Sequence, residues 1–180
     1  MSLRVDRAFD PTLVSIILPA YNEEEFVFAA VERAVHAPLP QGLDRELIVV
    51  DDGSTDLTWQ EIQRAQARWP GQIRPLRHER NRGKGAAVRT ALAGARGQWT
   101  LIQDADLEYD PGDYPKLLQP LVDGRADVVY GSRFVVAGER RVLYFWHSLA
   151  NRLITALCNV VADLNLTDVE SGLKAARTAL

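Results

Sequence analysis

Leu101-Ile102-Gln103-Asp104-Ala105-Asp106-Leu107-Glu108 decides how this chain is read, because an apolar run stops abruptly in carboxylates at every second position. If the run is a strand that stays extended, alternation points Asp104, Asp106 and Glu108 the same way. Crowded carboxylates cost free energy unless a cation compensates them. Hard Mg²⁺ or Mn²⁺ takes such oxygen ligands and keeps its remaining positions for water and substrate phosphates. The plainer alternative is a solvated acidic turn closed by Pro111-Gly112.

Other short β-branched runs lie on either side of this stretch. Residues 13–18, 46–50, 99–103 and 127–130 read as buried strands, each ending where polar or glycine residues begin. Between them, residues 23–37, 57–69, 85–95 and 114–121 read as helices closed by proline or glycine, with Asp56 or the Ser54-Thr55 pair capping the second. Strand alternating with helix predicts an α/β fold, a Rossmann-like, mostly parallel sheet flanked by helices on both faces. A length of 180 residues, 47% of them hydrophobic, suits a single domain over 1–180. In such sheets ligands sit beyond the carboxyl ends of the strands, where strand order switches.

The motif residues fall at those ends. The first strand runs into Pro19-Ala20-Tyr21-Asn22-Glu23 and the second, after Val50, into Asp51-Asp52-Gly53-Ser54-Thr55-Asp56. Asp52 is suited to accept hydrogen bonds from a ribose hydroxyl or a base N–H, unless the cluster is only a turn with a helix cap. Arg80-Asn81-Arg82-Gly83-Lys84-Gly85 opens a helix and reads either as an anion-binding loop or as a solvated surface loop. Its spacing matches neither the P-loop nor the dinucleotide fingerprint. After the fourth strand, Gly131-Ser132-Arg133 offers a guanidinium fork to a phosphate, or to one of the clustered acids. Residues 168–174 read only as a polar loop, and His36, His78 and His147 show no metal-ligand spacing.

The net charge of -3 argues against a protein that grips nucleic acid through its phosphates. The lone Cys158 sits in an apolar stretch and reads as a core residue of a protein in a reducing cytosol. Residues 1–10 carry arginines and aspartates, so no signal peptide is expected. Residues 142–164 are apolar but interrupted by His147, Asn151, Arg152, Asn159 and Asp163, too often to span a bilayer. They read either as a core helix pair or as a surface lying against lipid, with Tyr144, Phe145 and Trp146 near an interface.

Taken together, these motifs closely resemble family 2 glycosyltransferases of the GT-A fold, and within them the polyprenol-phosphate transferases of the dolichyl-phosphate mannose and glucose synthase type. The resemblance runs from about Val14 to Lys174. It implies a nucleotide-sugar donor site at Pro19, Tyr21, Glu23, Val50 and Asp52. Asp104, Ala105, Asp106 and Glu108 would handle diphosphate and metal, with Asp106 and Glu108 on the cation. Lys84 would face the donor, and Arg133 and Lys174 the acceptor phosphate; Asp106 and Arg133 would be catalytic. Mannose synthases of this type often carry glutamine where Glu108 stands. Relatives continue into further helices beyond the position of Lys174, where six residues remain here. The chain is therefore expected to be truncated or a natural short form.

The implied reaction is metal-dependent, with Mg²⁺ or Mn²⁺. It moves a hexose from GDP-mannose or UDP-glucose to a polyprenyl phosphate with inversion, peripherally at the cytoplasmic face of the membrane. A saccharide acceptor in cell-envelope synthesis and a catalytically silent nucleotide-sugar-binding module are the rival readings.

Overall fold

A computed structural model describes residues 8–131, 145–163, 165–169 and 171–179; at 145–148 and 162 only the helical backbone is described. Arg133 and Tyr144 lie outside these residues, and so do the side chains of Phe145, Trp146 and His147. The elements in order are β1 (Asp10–Ala20), α1 (Val27–His36), β2 (Asp44–Asp51), α2 (Thr58–Arg68), β3 (Ile73–Arg77), α3 (Lys84–Gly94) and β4 (Gly97–Ile102). A 3₁₀ turn at Pro111–Asp113 then leads to α4 (Tyr114–Val122), followed by β5 (Val128–Tyr130), α5 (Phe145–Ala162) and β6 (Lys174–Arg177).

The strands form a six-stranded sheet in the order β3-β2-β1-β4-β6-β5. β1 pairs in parallel with β2 and β4, and β2 with β3, while β6 runs antiparallel between β4 and β5. Alternation along the central strands divides the core into two faces. Ile16, Leu18, Leu47, Val49 and Leu101 pack with α1, α2 and α4 on one face. Ile17, Ile48 and Val50 pack with Ala87, Ala91 and Ala95, from α3 and its end, on the other. Burying each such aliphatic side chain is worth about 1.5–3 kcal/mol relative to exposing it, so these strands are the main source of stability. The α/β sheet covered on both faces is the one expected.

Two strands escaped sequence reading. β3 is the edge strand Ile-Arg-Pro-Leu-Arg, where a proline and two arginines are tolerated because one side has no partner. β6 lies in the supposed polar loop. Its Lys-Ala-Ala-Arg sequence carries little apolar signal, yet Ala175 is buried opposite both Leu101 and Val129.

At the end of the sheet away from the motifs, buried Glu46 ties three strands together. Glu46 Oε1 accepts from Ser15 Oγ and Arg96 N, both at 2.7 Å, and Oε2 accepts from Arg96 Nε at 2.8 Å. Ser15 Oγ in turn accepts from Gly97 N at 2.9 Å. Burial works to raise the Glu46 pKa, but these hydrogen bonds outweigh it and hold the carboxyl below its usual value.

Candidate active site

Strand order switches at β1, which has β2 on one side and β4 on the other. The loops leaving these strands are joined by side chains. Asp52 N donates to Ala20 O at 2.8 Å, Asn22 N to Ser54 Oγ at 3.0 Å, and Glu23 N to Thr58 Oγ1 at 2.8 Å. In return Thr55 N donates to Asn22 Oδ1 at 2.9 Å, and Leu57 N to Glu24 Oε2 at 2.8 Å. Asn22 holds φ near 54°, a left-handed conformation that asparagine tolerates better than most residues. These exchanges satisfy backbone donors ahead of α1, which begins at Val27 rather than at Glu23. Asp56 accepts from Thr58 N, the first N–H of α2, at 3.0 Å, but the N-cap position expected for it or for the Ser54-Thr55 pair falls to Leu57, whose side chain makes no cap bond.

Gly53 fixes the next approach. Its φ is near 74°, and a Cβ there would overlap the Arg80 backbone, lying 2.6 Å from Arg80 Cα. Only glycine lets the β2 loop lie against the Arg80-to-Lys84 segment. That segment delivers Lys84 as the first residue of α3, so the helix N-terminus adds positive potential beside the lysine.

A cleft of about 300 Å³ opens where these loops meet β4, lined by Pro19, Ala20, Tyr21, Glu23, Asp52, Asn81, Lys84, Asp104, Ala105 and Asp106. Val50, expected at the donor site, is not among the residues lining the cleft; near the end of β2, it is buried in the core with Ala87, Ala91 and Ala95. Lys84 Nζ lies 2.5 and 2.7 Å from the two carboxylate oxygens of Asp104. Glu23 has a raised pKa, first through burial and then through the negative charges of Asp106, Asp104 and Asp56. The cleft therefore pairs a cationic wall with an excess of carboxylate opposite.

The alternation argument for Glu108 is corrected. β4 ends at Ile102, and Leu107 takes φ near 61°, so residues 104–108 are not extended. Glu108 N donates to Asp106 Oδ1 at 3.0 Å. The Glu108 side chain lines a separate groove of about 570 Å³ with Arg33, His36 and Tyr109.

Lys174, at the start of β6, sits within the electrostatic reach of the cleft. Its pKa is lowered by burial and by Lys84, while Asp104 and Asp168 pull it back up. Its ammonium also lies 5.0 Å from the Tyr130 ring centroid. Just before it, Gly172 N donates to the Tyr109 hydroxyl at 2.7 Å, and a Cβ on Gly172 would overlap the Asp104 carboxylate. Nothing local in the sequence marks this contact, nor buried His78, whose Nδ1 lies 2.6 Å from Asp52 Oδ1.

Among the described residues, no three His, Cys, Asp or Glu side chains form a ready-made metal cage. The donor set nevertheless fits a Mg²⁺ or Mn²⁺ site of the kind completed by substrate. Such ions use one or two carboxylates, and Asp104 and Asp106 are hard oxygen donors lining one cleft, whose charges add to burial in raising the Glu23 pKa.

The chain belongs to glycosyl transferase family 2, whose model matches residues 15–180. Three curated relatives are enzymes whose names contain a polyprenol or polyprenyl phosphate. The dolichol-phosphate mannosyltransferase of Pyrococcus furiosus is 33% identical over 77% of this chain and 38% of its own length. The dodecaprenyl-phosphate galacturonate synthase of Rhizobium johnstonii is 35% identical over 67% of this chain and 36% of its own. In Methanococcus voltae, a UDP-N-acetylglucosamine–dolichyl-phosphate N-acetylglucosaminyltransferase is 27% identical over 91% of this chain and 68% of its own. The chain thus spans little more than a third of the first two. Among solved structures, glucosyl-3-phosphoglycerate synthase of Mycobacterium tuberculosis, in complex with Mn²⁺, UDP-glucose and glycerol 3-phosphate, superposes with a TM-score of 0.67. It is 24% identical and covers 93% of this chain and 57% of its own, which shows the shared GT-A fold.

Proposed function

We propose that this chain is the donor-binding and catalytic domain of an inverting glycosyltransferase that moves a hexose from a nucleotide diphosphate sugar to a polyprenyl phosphate. One observation carries the reading. Asp104 and Asp106 meet Pro19, Tyr21, Asp52 and Lys84 in a single cleft at the switch point of a family 2 transferase sheet. The names of the relatives supply the acceptor class.

In this reading Tyr21 and Pro19 flank the nucleoside and Asp52 accepts its N–H or hydroxyl groups. Lys84 and the N-terminus of α3 hold the diphosphate. Asp104 and Asp106 would hold a divalent cation, which when bound would supply neutralisation of the departing diphosphate. An oxygen of the acceptor phosphate attacks the anomeric carbon from the side opposite the leaving group. The carbon–oxygen bond to the diphosphate breaks, and the nucleoside diphosphate keeps the electron pair. A phosphate oxygen is already anionic, so no general base is required and positioning carries the rate. Lys174, half-buried at the start of β6 and within the electrostatic reach of Lys84 and Asp104, is read as a ligand of the acceptor phosphate, whose negative charge would oppose the lowering of its pKa by burial and by Lys84. Arg133 is assigned the same anion on the family resemblance.

The acceptor's lipid requires a surface. On α5, Leu149, Leu153, Leu157, Val160 and Val161 are exposed at helical spacing, while the opposite side buries Asn151 and Thr155. An apolar stripe facing outward is the pattern of a helix lying on a membrane. In this reading the domain works peripherally at the cytoplasmic face; among the described residues no helix is long and apolar enough to cross a membrane.

The test is a partition assay with radiolabelled GDP-mannose, UDP-glucose and other nucleotide sugars, polyprenyl phosphate and Mg²⁺ or Mn²⁺. Label should enter the organic phase only with metal, and not with Asp106→Ala. Label that appears only in aqueous saccharide would move the acceptor to the cell-envelope class.

A further inference from the structure

His78 follows the edge strand β3, and its backbone N donates to Asp51 O at 2.9 Å. Its ring is buried, with Nδ1 2.6 Å from Asp52 Oδ1 and Nε2 2.9 Å from Thr90 Oγ1 on α3. A carboxylate oxygen can only accept, so Nδ1 carries the proton toward Asp52, while the Thr90 hydroxyl can serve Nε2 as donor or acceptor. Asp52 Oδ1 also accepts from Arg82 N at 3.1 Å, and Oδ2 receives that same N–H at 3.2 Å. Oδ1 is therefore fully engaged by the protein, and Oδ2 retains an acceptor direction in a residue that lines the cleft.

Resting on the nucleotide-sugar reading above, we infer that His78 is a positioning residue that commits one oxygen of Asp52 to the protein and leaves the other as a single acceptor, selecting a uracil-type base over guanine. The imide edge of uracil presents one N–H. Guanine presents two adjacent N–H groups that call for both oxygens of a carboxylate, and one of them would be buried here without a partner.

Calorimetry in Mn²⁺ with UDP, GDP and pyrophosphate tests this on wild type, His78→Asn, His78→Gln and His78→Leu. An asparagine amide reaches the position of Nδ1 and can still donate to Asp52, whereas a glutamine amide reaches that of Nε2. Wild type and His78→Asn should bind UDP about ten-fold or more tighter than GDP. In His78→Gln and His78→Leu the UDP affinity should fall about ten- to a hundred-fold, the range for a lost hydrogen bond to a carboxylate. Pyrophosphate affinity should stay the same in all four, which a variant with a collapsed fold could not show. Tighter GDP than UDP in wild type, or wild-type UDP affinity in His78→Leu, would overturn the inference alone. Wild type that binds neither nucleotide would overturn the donor reading with it.

Discussion

Gly172 shows how much of the site rests on a missing side chain. The Asp104 carboxylate occupies the space a Cβ would take, and Tyr109 Cε2 would lie 2.8 Å from it. Gly172→Ala should displace Asp104 from Lys84 and lower turnover about a hundred-fold, the scale of an ångström-sized misplacement, with little change in melting temperature. Steady-state kinetics beside a thermal melt would check this. Glu23 gives a pH prediction. Its raised pKa means that folding favours the protonated carboxyl, so its contribution to stability is present at pH below the ordinary glutamate value and lost as pH rises through the raised one. Glu23→Gln should therefore melt higher than wild type near neutral pH without metal and show no such gain in acid, as parallel melts across pH would reveal. Asp104, Asp106 and Asp52 were legible in the sequence because they follow abruptly on apolar strands, and Lys84 because it stands in a basic, glycine-punctuated stretch that opens a helix. His78 and Gly172 were not. Their partners are 26 residues away for His78 and 63 for Gly172, and nothing local marks either as more than a core histidine or a loop glycine.

At the scale of elements, strands with unbroken aliphatic runs were legible and the short, charged β3 and β6 were not, since their places come from pairing rather than propensity. β6 matters for function, because pairing between β4 and β5 brings Lys174 beside Asp104. α5 was legible as apolar but not as to which side faces out. Its inner side carries polar groups: Asn151 Nδ2 donates to buried Asp168 Oδ1 at 2.8 Å, and Thr155 Oγ1 to Asn151 Oδ1 at 3.0 Å. Asn159 grips Leu166 through both its backbone groups at 2.8 Å. These bonds tie the helix to the chain that leads into β6 and leave the leucines outward. Leu153→Asp with Leu157→Asp should change stability by about 0.5 kcal/mol or less per site, as for exposed positions, while abolishing co-sedimentation with anionic lipid vesicles. Vesicle binding equal to wild type would remove α5 as the membrane surface.

For the molecule as a whole, structural and chemical ends are separated along the sheet. Glu46 holds β1, β2 and the approach to β4 at one end, and the cleft opens at the other. Glu46→Ala should cost about 1–3 kcal/mol by leaving Ser15 and Arg96 donors unpaired. Because its folded pKa is lowered, the wild-type stabilisation is present above the ordinary glutamate value and lost as pH falls through the lowered one. The difference between the two proteins in urea unfolding should accordingly shrink in acid.

The most direct test of the diphosphate site is calorimetric titration of nucleotide sugar into wild type and Asp106→Ala, each with Mn²⁺ and with EDTA. Wild type should bind with Mn²⁺ and weakly or not at all in EDTA, and Asp106→Ala should lose the metal-dependent part while melting like wild type. Equal binding with and without metal, or Asp106→Ala matching wild type in Mn²⁺, would contradict a metal-held diphosphate in the Asp104–Asp106 cleft.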